Sequence, residues 1–495
     1  MVDCLAGSVS ASYQSAVSLV RLLVGAFFRR VEVSGLENVP ARGGGLIVAW
    51  HPNGLVDPGL ILAHCPRPVA FGARHGLFQV PVLGWLMRGV GAVPVYRAAD
   101  AKGAGADRRA KNEQSLAALA GAIAGGSFAA LFPEGVSHDA PRMMELKTGA
   151  ARLYYQARAS SPDELPVIIP VGLHYDDKRS FRSYALVEFH PPVVLPPELD
   201  VVAAAGESAE AARERATALT DLIEAHLEAV VHPTESWELH HLMHRARKLV
   251  RAERAHRAHA DPGRPDMQEK VLGFGRIWAG YNARLASHPD QVSAMLARLR
   301  RYDETLRALQ VEDHELDAAP RLVSPWLGFL LLLQLATVYL VLPPILLVGY
   351  LVNLPVALLL IAISKLAARA YKDEATVKVL LGAVLFPLTW VAAGVMAARG
   401  NAWLRAALPG VPDVPVLAGV VMALLCLIGG AAGMRYLRVA RETARAVRVR
   451  LLRRSRRRQI ERLRVERREL FDGIMTLAEG LALPGHVAPD GRIVA

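Results

Sequence analysis

The chain reads as an α/β domain whose central sheet is covered by helices, joined to a helical insert and a C-terminal α-helical transmembrane region. Three observations predict this. Short β-type runs alternate with helical stretches and Gly/Pro turns from Val31 to about Pro192; an Ala/Glu/Arg/His/Leu-rich stretch with few β-branched runs follows, to Pro320; long apolar segments lie beyond it. With 495 residues, 52% of them apolar and 21% charged, the chain is too long for one core. It is also too apolar for an ordinary soluble enzyme and too polar for a pure membrane bundle.

The expected organisation is residues 1–30 as an N-terminal helix, 31–197 as the α/β domain, 198–320 as the helical insert, 321–434 as about four membrane helices and 435–495 as a basic cytoplasmic tail. The segment Val17 to Phe28 is interrupted by Arg21 and closed by Arg29 and Arg30, which predicts no cleavable signal. It is either a helix lying in the membrane surface or one packed on the α/β domain. The predicted strands are Val31 to Val33, Leu46 to Ala49, Gly91 to Val95, Phe128 to Phe132, Val167 to Leu173 and Tyr184 to Phe189, most of them too continuously apolar to be half exposed. In the insert, helices are expected to break at Pro233 and around Asp261 to Pro265.

Leu322 to Ser364 carries no charge and exceeds one span of about 20 residues, so Pro343 and Pro344 are expected to turn it into a tight hairpin. Val377 to Ala398 and Val414 to Met434 are the third and fourth candidates. Four crossings leave both ends on one side. Lys365, Arg369 and Lys372 between the second and third spans, and the basic stretch after Arg435, mark that side as cytoplasmic. In a prokaryote this is the bacterial inner membrane.

The net charge of +12 favours nucleic acid, anionic lipid or phosphorylated substrates. Much of it lies between Arg435 and Arg468, including Arg453, Arg454, Arg456, Arg457 and Arg458. A basic tract just beyond a span is expected to hold anionic lipid headgroups; a solvated helix that only fixes topology is the competing reading. No nucleic-acid partner is expected, because the tract lacks interleaved aromatics. Three dispersed cysteines, Cys4, Cys65 and Cys426, exclude a disulfide scaffold and point to a reducing compartment.

The most informative segment is LIVAWHPNGLVDPGLIL, Leu46 to Leu62, in which a buried strand ends at His51 and a helical pattern resumes after Pro58. On an ideal helix His51 and Asp57 would point about 120° apart. Pro52, Asn53 and Gly54 make such a helix implausible, and a turn there folds Asp57 back toward the imidazole, giving an oriented base for an alcohol. By itself such a pair is more often structural than catalytic.

Four further blocks follow in order: GAVPVYR at Gly91 to Arg97, LFPEGVSHD at Leu131 to Asp139, LKTGAARL at Leu146 to Leu153, and VIIPVGLHY at Val167 to Tyr175. With these, residues from about Val31 to Pro192 resemble the phospholipid/glycerol acyltransferase family, whose hallmark is an HxxxxD-type motif followed by an arginine block, an FPEG block and a late apolar-proline block. His51 and Asp57 enclose five residues where the commonest form has four. The HPNxxxDP form, FPEGVSHD and FRSYALVEF resemble the branch that includes fungal-type glycerol-3-phosphate and dihydroxyacetone-phosphate acyltransferases.

The resemblance implies a membrane-bound O-acyltransferase of phospholipid biosynthesis. It would move a fatty acyl group from acyl-CoA or acyl carrier protein to the hydroxyl of glycerol 3-phosphate or a related phosphorylated acceptor. His51 would take the proton and Asp57 would hold the ring. Arg97 would grip the phosphate bidentately, with Lys147 and Arg182 as weaker candidates that are better read as ordinary surface charges. Phe132, Pro133, Glu134, Gly135 and Ser137 belong to the acceptor block, and Pro170 would shape the acyl or thioester site. No cofactor is expected beyond the acyl thioester co-substrate. No metal is expected either, since ELHHLMH, with His240 and His244 one turn apart, is better read as a solvated helix face. The alternatives are a lysophosphatidic acid acyltransferase and a non-enzymatic lipid-binding scaffold; the latter predicts decayed motifs.

Overall fold

The computed structural model describes residues 10–96, 105–161, 164–202, 207–261, 263–317, 325–367, 373–408 and 410–494. It falls into two compact units. The first comprises Met1–His240, Pro265–Val271 and Ala370–Thr376; the second comprises His241–Arg264, Leu272–Arg369 and Val377–Ala495.

The first unit is built on a seven-stranded sheet: β1 (Arg30–Ser34), β2 (Gly45–Ala49), β3 (Val69–Arg74), β4 (Val93–Val95), β5 (Phe128–Leu131), β6 (Val167–Tyr175) and β7 (Tyr184–Phe189), in spatial order β1-β7-β6-β2-β5-β3-β4. Neighbours pair in parallel except β6 and β7, which are antiparallel. β2 is the innermost of the apolar strands and is buried along its whole length, as expected for a parallel strand covered on both faces. All six expected strands form, Tyr184–Phe189 with its ends unchanged and the other five with an end shifted by one or two residues, as where the Gly91 start moves to Val93. β3 is an addition: its apolar run is only three residues before Gly72. The site is tight, since a Cβ there would lie 3.0 Å from Leu131 Cδ2 and 3.1 Å from Val95 Cγ2 and those side chains would have to give way.

α1 (Ala11–Phe27), of the two readings given for the N-terminal segment, packs on the domain. Tyr13, Ala16, Val17, Val20, Val24 and Phe27 form its buried stripe, each of the larger ones contributing roughly 1.5–3 kcal/mol by burial. Arg21 Nε donates to Ala63 O at 2.9 Å at the end of α2 (Val56–His64), and the Tyr13 hydroxyl accepts from Val69 N at 2.9 Å. Other covering helices are α3 (Pro81–Gly89), α4 (Gly105–Ala124), α5 (Gly149–Ser160) and α6 (Ala209–Val231). Ala216, Leu219, Ile223 and Leu227 of α6 sit in the same core as Leu46, Val48 and Tyr154. The expected insert beginning at residue 198 is therefore not one body. Its first helix completes the α/β unit.

The rest of that segment, α7 (Trp237–Arg257), α8 (Met267–Leu285) and α9 (Pro289–Leu309), breaks where the prolines at 233 and 265 predict. In the second unit Leu249, Tyr302, Leu306 and Leu316 share one core with Leu463, Leu470 and Phe471 of α15 (Arg457–Ala478). At its centre Arg467, fully buried, is paired with Glu253 at 2.9 Å and Asp317 at 2.5 Å. Arg464 donates to Leu316 O and Arg445 pairs with Glu315 at 2.8 Å. Part of the basic tract is thus committed to packing rather than to headgroups, and Arg456, Arg457 and Arg458 remain exposed.

The apolar region departs from the expected four spans. α10 (Pro325–Ala336), a π turn (Thr337–Val341), α11 (Leu342–Ile345) and α12 (Leu347–Ala367) follow one another along α14 (Pro415–Ser455). Gln334 bonds Thr443, Tyr339 bonds Ala440 O, Tyr350 bonds Gly433 O and Asn353 bonds Cys426 O, an antiparallel progression that passes through Pro343 and Pro344 without reversing. A π turn lies just before the two prolines, whose missing N–H groups leave carbonyls one turn back without helical donors, and the chain runs on without the expected hairpin. Among the described residues, three helices are long and apolar enough to cross a membrane: α12, α13 (Glu374–Ala407) and α14. Of the loop cations, Lys365 is exposed on α12, while Arg369 and Lys372 lie outside the described residues.

Candidate active site

The carboxyl ends of β2, β5 and β6 lie side by side in the first unit, and the chemistry-bearing residues follow them, as is general for parallel sheets. His51 stands two residues beyond β2. The chain then turns through Gly54 (φ +49°), with Val56 N bonded to Asn53 O at 3.0 Å, and enters α2, whose first turn carries Asp57. A first-turn position suits a carboxylate because unsatisfied amides and the helix dipole face it.

The expected fold-back occurs. His51 Nδ1 and Asp57 Oδ2 are 2.8 Å apart, with Asp57 fully buried and the His51 side chain 14% exposed. Asp57 Oδ2 also accepts from Asn53 N at 2.7 Å, and Oδ1 accepts from the Tyr175 hydroxyl at the end of β6. Burial and the adjacent carboxylate push the Tyr175 hydroxyl well above its ordinary value, which keeps it a donor. Three donors therefore orient one carboxylate. Because Asp57 takes Nδ1, Nε2 is the nitrogen left for a reacting hydroxyl. Phe132 lies flat on the imidazole, centroids 4.1 Å apart and 13° from parallel.

The FPEG block holds the backbone of His51 from both sides. Glu134 Oε2 accepts from His51 N at 3.1 Å, and His138 N donates to His51 O at 3.1 Å. Glu134 Oε1 accepts from His138 Nε2 at 2.6 Å and from Met144 N at 2.8 Å, while His138 Nδ1 accepts from Ala140 N. Glu134 is buried with both oxygens occupied. It braces the turn that carries His51.

The remaining candidates divide. Gly135 adopts φ +69°, and a Cβ there would come within 3.4 Å of Lys147 Nζ, so the exposed Lys147 lies beside the FPEG turn. Lys147 N donates to Pro133 O at 2.9 Å. Ser137 is half-buried two residues on. Pro170 is buried inside β6 opposite Val48 and reaches the site only through the strand. Arg182 is a correction: its Nη1 donates to Gly25 O and Phe28 O, both at 3.2 Å, closing the end of α1. Arg97, two residues past β4, lies outside the described residues.

Sequence reasoning missed Tyr175, Asn53, His138 and Lys178. Lys178 Nζ donates to Pro52 O at 3.1 Å and pairs with Asp139, the last residue of LFPEGVSHD. The available signal for Tyr175 and His138 was their place within the two late blocks. Nothing local marks Lys178.

Residues 30–174 match a family model described as Acyltransferase, and residues 268–482 match one described as Glycerol-3-phosphate acyltransferase 2 C-terminal domain. An uncharacterized acyltransferase of Schizosaccharomyces pombe is 24% identical over 388 residues, 62% of this chain and 55% of that protein. Two Saccharomyces cerevisiae proteins are similar over shorter stretches. Glycerol-3-phosphate O-acyltransferase 2 is 40% identical over 65 residues, 13% of this chain and 9% of that protein; glycerol-3-phosphate O-acyltransferase 1 is 33% identical over 119 residues, 24% and 15%. The chain thus spans about half the length of the first relative and much less of the other two. Among solved structures, the 1-acyl-sn-glycerophosphate (LPA) acyltransferase PlsC from Thermotoga maritima is 16% identical with a TM-score of 0.29, over 44% of this chain and 82% of that one. The His-Asp and FPEG blocks lie inside the first matched region, so the chain carries an acyltransferase domain, followed by a region that matches the glycerol-3-phosphate acyltransferase 2 C-terminal domain.

Proposed function

We propose that the chain transfers a fatty acyl group from a thioester, acyl-CoA or acyl carrier protein, to a hydroxyl of glycerol 3-phosphate. The observation that carries this is the His51–Asp57 pair, with the ring fixed through Nδ1 and stacked on Phe132. The acceptor O–H gives its proton to His51 Nε2 as its oxygen attacks the thioester carbonyl. The C–S bond then breaks, and the thiolate leaves with the proton held by the imidazolium. General-base assistance of this kind contributes roughly 10²–10⁴-fold. No covalent acyl-enzyme and no cofactor beyond the thioester are required. Glycerol 3-phosphate is favoured as acceptor by the match of residues 268–482 and by the two yeast relatives named for it. Lys147 beside Gly135 is a cation available for its phosphate, with Arg97 the family's position for that role.

The protein is membrane-associated through its apolar helices. The catalytic unit and both termini are assigned to the cytoplasmic face. Support comes from α7, α9 and α15 sharing one core, which holds the two flanks of the apolar region on one side of any bilayer, so that an even number of the three apolar helices crosses it. Exposed Arg457 and Arg458 would meet anionic headgroups there.

The test is an assay of membranes with acyl-CoA against glycerol 3-phosphate, dihydroxyacetone phosphate and lysophosphatidic acid. His51→Ala and Asp57→Asn are expected to lose at least about 100-fold in kcat. Equal turnover in the variants sinks the mechanism, and consumption of lysophosphatidic acid alone sinks the acceptor. A reporter fused after Arg468 is expected on the cytoplasmic side; an external signal overturns the topology.

A further inference from the structure

The turn that carries His51 and Asp57 is tied down by residues from distant parts of the chain. Glu134 accepts from His51 N, His138 N donates to His51 O and Lys178 Nζ donates to Pro52 O. One further tie comes from 321 positions away, where Thr376 Oγ1 accepts from Leu55 N at 3.2 Å. Ala370–Thr376 belongs to the first unit, although α12 before it and α13 from Val377 onward belong to the second. Ala375 is fully buried and Thr376 half-buried, so this short segment is packed against the first unit.

Leu55 opens α2, and its side chain offers no oxygen to the free amides of a helix start. Val56 N is taken by Asn53 O, and Pro58 has no N–H to satisfy. Thr376 takes the amide in front of them. Asp57 follows two residues on, and its carboxylate depends on the direction in which α2 leaves the turn: Oδ2 meets both His51 Nδ1 at 2.8 Å and Asn53 N at 2.7 Å. An amide that loses its acceptor in a part-buried turn must find water or move. Either outcome shifts the start of α2.

We propose that Thr376 is a positioning residue for acyl transfer: by accepting from Leu55 N it fixes the first turn of α2 and, through it, the carboxylate that orients His51. This role rests on the reading of His51 and Asp57 as the reacting pair. It gives the segment between two long apolar helices a part in the chemistry of the first unit.

The experiment uses the full chain in detergent, with hydrogen exchange read by mass spectrometry on peptides covering Leu55 and steady-state transfer to glycerol 3-phosphate. Thr376→Val keeps the shape and removes the acceptor oxygen. It is expected to speed exchange at Leu55 at least about tenfold and to lower kcat about fivefold or more, with KM for donor and acceptor changed less than about twofold. Thr376→Ser, which keeps the oxygen, is expected to restore both. Thr389→Val is the same substitution farther along α13, where the hydroxyl donates to Leu385 O of its own helix. It is expected to leave both readouts as in wild type. Unchanged exchange in Thr376→Val, faster exchange with kcat unaltered, or equal losses in Thr376→Ser or Thr389→Val overturn the inference. Should Thr376→Val fail to fold, Thr376→Ala puts the same question. His51→Ala separates this role from the reaction itself. Turnover kept in His51→Ala sinks the reaction and this role with it, whereas an inactive His51→Ala beside a fully active Thr376→Val removes the role of Thr376 alone.

Discussion

Tyr175 donates its hydroxyl to Asp57 Oδ1, on the oxygen opposite the one that holds His51, so β6 and β2 meet through a single buried carboxylate. Removing that donor leaves the carboxylate free to rotate away from the ring. Hydrogen bonds to charged groups contribute about 1.5–3 kcal/mol. Tyr175→Phe is expected to lower kcat roughly tenfold or more while changing the acceptor KM less than twofold. In an Asp57→Asn background the same substitution should do almost nothing further. Additive losses in steady-state kinetics of the single and double variants would show that Tyr175 acts elsewhere.

Glu134 receives three N–H donors: His51 N, His138 Nε2 and Met144 N. Glutamine at this position has the same shape but one oxygen, so its amide must point a donor at a donor. Glu134→Gln is therefore expected to destabilise the fold by about 1–3 kcal/mol and to displace the His51 backbone. Thermal unfolding should show the loss, and activity should fall even at saturating substrate. Retention of both would mean that the brace is dispensable.

Much of this site was legible because the chemistry interrupts apolar runs. The buried strand ending at His51, the HPNG turn and the FPEG block stand out locally, and the helix breakers between His51 and Asp57 allowed a turn that brings Asp57 back toward the ring. What was not legible comes from distant segments. Tyr175 reaches Asp57 only because β6 pairs beside β2, and strand order is not written in periodicity. The inward commitment of Glu134 depends on His138 and Met144 folding over it. The span count failed at Pro343 and Pro344 for a physical reason: proline forbids one backbone donor without forcing the chain to reverse, and here a π turn precedes the pair.

Acid should destabilise the first unit. His174 and His232 are lowered by burial to about 4 and about 3, with His190 adding repulsion and Glu188 opposing it. Folded values below the ordinary 6.5 mean that the unfolded chain binds more protons. The stabilising contribution is therefore whole above pH 6.5 and is lost as pH falls through that value toward 4. Each group contributes about 1.4 kcal/mol per pH unit across this window. The melting temperature is expected to drop between pH 7.5 and 5.5, and His174→Asn, less stable at pH 7.5, should show a shallower drop. An unchanged slope in the variant would remove His174 from this account.

The helix crossing in the second unit depends on two glycines. A Cβ on Gly429 of α14 would fall 2.8 Å from Gly349 Cα of α12, and one on Gly349 would fall 2.7 Å from Gly429 C. Small residues let helix backbones approach in a membrane, where no hydrophobic effect draws helices together. The same approach lets Asn353 Nδ2 reach Cys426 O at 2.8 Å and Asn353 Oδ1 accept from Trp390 Nε1 at 2.8 Å. Gly429→Val must part the helices by backbone movement, since no flexible side chain is in the way, and would break the Asn353 contacts with it. Gly400→Val on α13 meets nothing within 4 Å and serves as the control for the residue change itself. Detergent-extracted Gly429→Val is expected to melt well below the control and to be cleaved faster by protease. If the two variants behave alike, α12 and α14 do not cross at these glycines.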